Sequence, residues 1–91
     1  MAIVYIPSLL RSLTGGEEKV RASGTTLGAV LEDVLRQHPG LAGRVLEASA
    51  LRPEIMIAVG GDEASDLGTV VGDDVEVRIL PAIAGGGVGA F

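Results

Sequence analysis

Leu27, Val30, Leu31, Val34 and Leu35 recur at i, i+3, i+4, i+7 and i+8, between a threonine and a Pro-Gly pair. That spacing places all five on one face of an α-helix, while Glu32, Asp33, Arg36 and Gln37 fall elsewhere. Thr26 stands at the N-cap, where its hydroxyl can accept from an unpaired first-turn N–H. Ala29 occupies the position of a capping-box Glu or Gln, so that device is absent. Pro39-Gly40 ends the helix. A helix with a single apolar stripe must bury it, and the rest of the chain offers mainly strand-like runs to bury it against.

Ala2-Ile3-Val4-Tyr5-Ile6 is a β-branched and aromatic run closed by Pro7, and it reads as a first strand. Ser8 to Gly16 is a connection with apolar residues, ending in a Gly-Gly turn. Glu18 to Ala22 alternates and reads as a second strand, which gives a hairpin with a long loop. Leu41 to Glu47 reads as a loop or as a second short helix with Leu41, Val45 and Leu46 inward, a helix that Gly43 weakens. Glu54 to Val59 is a strand with apolar residues at both parities, expected to be central or covered on both faces. Gly60 to Glu63 reads as a turn. Ala64 to Val71 reads as irregular, with Leu67 and Val70 plugging the core. After a Gly72-Asp73-Asp74 turn, Val75 to Leu80 is the last strand, with Val75, Val77 and Ile79 on one face and Glu76, Arg78 and Leu80 on the other. This order predicts an α+β fold, a mixed sheet wrapped over one main helix.

A chain of 91 residues with 47 % apolar content suits one small domain and argues against disorder over Met1 to Leu80. No apolar run approaches the ~20 residues that span a bilayer. Met1-Ala2 leads into a strand pattern without a secretory-type segment, so the expectation is a cytoplasmic protein with no membrane partner. The net charge is −5 and the basic residues are scattered, which argues against nucleic acid. There is no cysteine, hence no disulfide, thiolate zinc site, thiol nucleophile or persulfide. The one histidine, His38, falls where the helix ends and reads as a C-terminal helix residue. It leaves little material for His-based catalysis, and no metal or bound cofactor is expected.

The last strand stops at a proline and becomes Pro81-Ala82-Ile83-Ala84-Gly85-Gly86-Gly87-Val88-Gly89-Ala90-Phe91. Glycines lose the most freedom on ordering, so such a tail is expected to stay mobile until a partner orders it. It is also thin enough to thread a narrow channel. The domain reading is therefore 1–83 for the folded unit and 84–91 for the tail.

Four stretches together resemble the ubiquitin-like β-grasp sulfur carriers, the MoaD/ThiS/CysO family, most closely its CysO-like members. They are Ile6 to Arg11, Thr14-Gly15-Gly16, Ala22 to Val30, and Ile79 to Gly86, and the Gly72-Asp73-Asp74 turn also fits. The resemblance implies a β-grasp fold and a protein co-substrate rather than an enzyme. It implies that the carboxyl group of Gly86, with Gly85 as the threadable neck, is adenylated with ATP by an E1-like enzyme. The adenylate is then converted to a thiocarboxylate that donates sulfur. The acceptor it implies is a pyridoxal-phosphate cysteine synthase or, next, the large subunit of molybdopterin synthase. A chain without cysteine can carry sulfur only on such a terminus.

The family ends at Gly-Gly, whereas this chain continues through Gly87 to Phe91. An internal amide cannot be adenylated as a carboxylate. Three readings stand: a pro-form cut between Gly86 and Gly87, for which the resemblance implies a JAMM-type zinc peptidase; a cut after Gly87; or a chain that has lost sulfur transfer. Phe91 reads either as an aromatic anchor or as an unimportant end. The partner-contact surface is expected at Leu80, Pro81 and Ile83, with one sheet position such as Ile57 or Arg78; Leu80 and Ile83 could instead close the core. Arg11 could pair with an acidic partner or be merely solvated. The same activated terminus would serve a ubiquitin-like modifier joined to lysines through Gly86, and a plain β-grasp binding module is the third class.

Overall fold

The computed structural model describes residues 1–47, 50–64 and 66–81. The strands are β1 (Ala2–Tyr5), β2 (Lys19–Ala22), β3 (Leu46–Glu47), β4 (Ala50–Leu51), β5 (Ile55–Val59), β6 (Asp62–Glu63) and β7 (Glu76–Pro81). The helix is α1 (Leu27–Gln37), and 3₁₀ segments cover Ser8–Thr14 and Pro39–Leu41. The main sheet runs β2-β1-β7-β5-β6, and β3 and β4 form a separate two-stranded ribbon. β1 and β7 are parallel; the other pairs are antiparallel. This is the mixed sheet over one helix that the sequence predicts.

α1 buries Leu27, Val30, Leu31 and Val34 against Val4, Val20, Ala22, Ile57, Val77 and Ile79 of the sheet. Leu35, on the edge of the stripe, is only partly covered. The first-turn N–H groups have no intrahelical partners and find them elsewhere. Leu27 N–H donates to the Thr69 carbonyl and Gly28 N–H to the Leu67 carbonyl, both at 2.8 Å. Ala29 N–H donates to Thr26 Oγ1 at 3.3 Å, as the N-cap reading requires. The irregular 66–71 segment is thus anchored on the helix N-terminus. Gly28 suits the close approach: a Cβ there would stand a tight 3.2 Å from the Leu67 carbonyl oxygen.

Several expectations are corrected. Leu41 to Glu47 is not a helix. The 3₁₀ turn Pro39–Leu41 gives way at Gly43, whose φ of +81° breaks any helical run, and the chain enters β3. Leu41 and Val45 are nonetheless buried. Val70 is 76 % exposed, and Val71 fills the core instead. The chain is extended there, bridged at Val70 to Thr26, so neighbouring side chains point oppositely and only one can face inward. β5 is not covered on both faces; it is an inner strand, between the central β7 and the short β6. Ile57 is buried while Met56 is exposed. Asp62–Glu63 is a short strand rather than part of the turn. Gly60 and Gly61, at φ +61° and +95°, make a two-residue hairpin turn that only left-handed backbone permits.

The Ser8–Thr14 connection is a braced 3₁₀ segment. Leu10 and Thr14 are buried, and Thr14 Oγ1 lies 3.1 Å from the Arg11 carbonyl oxygen and 2.8 Å from that of Glu17. Arg11 is half-buried, and its Nε donates to the Ile6 carbonyl at 3.0 Å, which ties the segment back to the end of β1. His38 caps α1 through its N–H to the Val34 carbonyl, and its Nε2 stands 3.4 Å from Glu17 Oε1.

Two predictions follow from how the helix is seated. Gly24 has φ +150°, and a Cβ there would meet Val30 N at 2.8 Å and Ala29 at 2.9 Å. Gly24→Ala is therefore expected to lower unfolding free energy by about 2 kcal/mol or more, measured by urea denaturation. Asp33 accepts from Arg36 Nη2 at 2.7 Å, from Gln37 Nε2 at 3.0 Å and from Ser23 N–H at 3.1 Å. The hydrogen bond from Arg36 foremost, then that from Ser23, holds its carboxyl below the usual carboxylate range. The stability this group adds is present above its unfolded-state value and is lost as pH falls through the lower folded one. Asp33→Asn should cost about 1 kcal/mol at neutral pH, and the gap between the two denaturation curves should close in acid.

Candidate functional site

β7 is the strand that leads to the glycines, and its alternation determines what surrounds their base. Val77 and Ile79 point into the core, while Glu76, Arg78 and Leu80 point outward. Register with β5 sets Met56 opposite Leu80 and Ala58 opposite Arg78. Leu80 is 40 % exposed and Met56 36 %, so two large apolar side chains lie in the open as a cross-strand pair where the sheet ends. Leu80 does not close the core. Ile57, one of the two sheet positions expected to join it, is 1 % exposed and faces the helix, so it cannot touch a partner. Met56, its neighbour in sequence, takes that place.

A second row crosses the same face. Tyr5 pairs with Lys19 on one side and Arg78 on the other. The Arg78 guanidinium lies 4.3 Å from the Tyr5 ring centroid and Lys19 Nζ 5.5 Å from it. Both are cation–π distances. Arg78 Nη2 also meets Glu76 Oε1 at 3.3 Å, and Tyr5 Oη lies 3.4 Å from Glu76 Oε2. The outer face thus carries an apolar pair beside a cationic and aromatic strip. Arg78 is where the sequence expects a contact. Tyr5, Lys19 and Met56 were not singled out, because only strand register brings them to Leu80 and Arg78.

Pro81 lies at the end of β7, opposite Ile55. Ile83, Gly85, Gly86 and Gly87 lie outside the described residues, as does the whole 84–91 tail. Because β1 and β7 are parallel, the exposed Leu9 follows β1 at the same end of the sheet as the tail root. An open groove of about 440 Å³ lined by Asp62, Glu63, Asp66 and Val70 sits by β6, at the other end of β5. Among the described residues no set of three His, Asp or Glu side chains could hold a metal ion, and no helix is long and apolar enough to cross a membrane. What the described face offers is docking surface, an apolar pair beside an aromatic ring and two cations.

This layering and strand order define a ubiquitin-like β-grasp protein, with an exposed apolar and cationic patch where the last strand ends. A match to the ThiS family covers residues 4–86, and the chain belongs to that family. It is 39 % identical over 89 residues to the sulfur carrier protein CysO of Mycobacterium tuberculosis, covering 91 % of this chain and 96 % of that one. A chain in the crystal structure of the Amycolatopsis orientalis BexX/CysO complex superposes with a TM-score of 0.85 at 35 % identity, over 94 % of this chain and 100 % of that chain. The small archaeal modifier protein 3 of Haloferax volcanii is 33 % identical over 64 residues, 67 % of this chain and 70 % of that protein.

The inward and outward residues of β7 should separate cleanly. Ile79→Ala is expected to cost about 3 kcal/mol in urea denaturation, because it opens a cavity under α1. Leu80→Ala should change stability by about 0.5 kcal/mol or less.

Proposed function

We propose that this chain is a sulfur carrier of the CysO type, a protein co-substrate that partner enzymes load and unload at Gly86. The observation that carries the reading is the near full-length similarity to CysO, within a family match that ends at Gly86. The patch of Leu80, Met56 and Arg78 supports it, because an enzyme that threads the glycines can grip the sheet at their base.

In this reading a JAMM-type zinc peptidase cuts between Gly86 and Gly87 and frees the Gly86 carboxylate. An E1-like enzyme docks on Leu80, Met56 and Arg78, with Pro81 and Ile83 at the channel mouth. The carboxylate attacks ATP and becomes an acyl-adenylate with release of pyrophosphate. A sulfur nucleophile then displaces AMP and leaves a thiocarboxylate. Glycine adds no bulk around the attacked carbon, and Gly85 keeps the neck narrow. The sulfur goes to a pyridoxal-phosphate cysteine synthase acting on an activated serine, with the large subunit of molybdopterin synthase as the next acceptor. Positioning and charge stabilisation belong to those enzymes, and the site of action is the cytoplasm. The likeness to an archaeal modifier favours a second reading, in which the activated Gly86 forms isopeptide bonds with lysines of other proteins.

The test incubates the chain ending at Gly86 with ATP, the E1-like enzyme and a sulfur donor, and reads intact mass. The carrier reading expects oxygen to be replaced by sulfur at the terminus, no change in the chain ending at Phe91, and loss of conversion in Leu80→Asp. Covalent conjugates in place of the thiocarboxylate would favour the modifier. A chain cut after Ile83 that keeps full function in cells would leave only a binding module.

A further inference from the structure

β2 is the outermost strand on one side of the sheet, so alternate residues along it have no strand to bond to. Ile6 N–H donates to the Glu18 carbonyl at 2.8 Å, and the antiparallel register runs on from there through Tyr5–Lys19, Val4–Val20 and Ile3–Arg21. Bonded and unbonded pairs alternate in such a ladder. Val20 therefore bonds back to β1, while the N–H and C=O groups of Lys19 and Arg21 point away from it. Ser23, two residues on, points the same way. An edge of this kind is a template for another chain.

Two side chains of α1 answer that edge. Gln37 Nε2 donates to the Arg21 carbonyl at 2.8 Å, and Asp33 Oδ2 accepts from Ser23 N–H at 3.1 Å. A parallel neighbouring strand would bond the same two groups through the N–H and C=O of a single residue. Gln37 Nε2 also donates to Asp33 Oδ2 at 3.0 Å, and Arg36 Nη2 holds the other carboxylate oxygen at 2.7 Å, so the pair is fixed on the helix. The outward groups it does not reach are those of Lys19 and the Arg21 N–H.

We infer that Asp33 and Gln37 stand in for a missing strand and keep β2 from pairing with β2 of a second copy of this chain. The edge fits itself. A two-fold axis through Val20 sets the outward groups of Lys19 against those of the partner's Arg21, with no shift of either backbone. Each such pair exchanges two bonds when both backbones are free. One of the two is accepted by the Arg21 carbonyl, and Gln37 already occupies that carbonyl from the outer side. Charge adds a second barrier. Lys19 and Arg21 are both exposed on one face, so the pairing places like charges side by side across the junction. The contact is autoinhibitory, since the helix that the sheet buries also shuts the sheet's edge. It is independent of any activation of Gly86.

The experiment follows association of the full chain by sedimentation equilibrium. Lys19→Glu turns the repulsion into attraction, because it sets a carboxylate beside the partner's Arg21, and it leaves Gln37 in place. Adding Gln37→Ala frees the Arg21 carbonyl. The wild-type chain and Gln37→Ala alone are expected to stay monomeric. The double variant is expected to dimerise at least about tenfold more tightly than Lys19→Glu alone. Hydrogen exchange identifies the surface: Arg21 N–H exchanges fast in the monomer and becomes protected in the dimer. Both positions are exposed, and melting temperatures check that the fold is kept. Gln37→Met, which keeps the length of the side chain without its amide, replaces Gln37→Ala if that variant melts low. Equal association of Lys19→Glu and the double variant would overturn the inference. So would a double variant that stays monomeric at about millimolar concentration, or a dimer in which Arg21 N–H still exchanges freely.

Discussion

The parallel pairing of the first and last strands holds the rest of the structure in place. Ile3, Val4 and Tyr5 stand beside Glu76, Val77 and Arg78, more than seventy residues away in sequence. Such a contact closes nearly the whole chain into one loop, so its entropic cost has to be offset by buried area. Val4 and Val77 are both fully buried at that junction, under a helix whose entire stripe is apolar. Because the two strands are parallel, both leave the sheet at the same end. That one constraint puts the tail root, the Tyr5–Arg78 stack and the Ser8–Thr14 segment in one neighbourhood. An antiparallel partner for β7 at that position would have delivered the glycines beside Met1.

The helix is held from two directions, and each explains residues that composition alone leaves unremarkable. At its N-terminus the first N–H groups are taken by the carbonyls of Thr69 and Leu67, which fixes an otherwise irregular crossing and packs it tightly against Gly28. Along its exposed side Asp33 and Gln37 reach Ser23 and the Arg21 carbonyl. Gln37 thereby covers part of the open edge of β2, which would otherwise present an unpaired backbone to other strands. The Ala-Ser-Gly run before the helix has a physical reason as well, since Gly24 lies so close under Val30 that no side chain fits.

Much of this was legible in the sequence, and what was not has identifiable causes. The stripe from Leu27 to Val34, the Thr26 cap and the alternation of β7 are local signals, and each holds in the structure. Leu41 to Glu47 misled because Leu41 and Val45 are spaced as in a helix, yet a left-handed Gly43 turns the chain into a ribbon. Val70 and Val71 are adjacent and chemically alike, so only the extended backbone decides which one is buried. Met56 belongs to the patch at the tail root, but that follows from its register with Leu80. Register is a long-range property that an apolar run with both parities filled does not disclose. The glycines themselves were plain in the sequence, and the fold adds the surface that surrounds their approach.

The central claim is that Gly86 is the working end of this protein. The most direct measurement is the intact mass of the protein recovered from its own cells, with thiol-blocking reagent present and no reductant added. The account predicts a species ending at Gly86, part of it with sulfur in place of one carboxyl oxygen. Recovery of only the chain ending at Phe91, from cells under demand for sulfur, would contradict it.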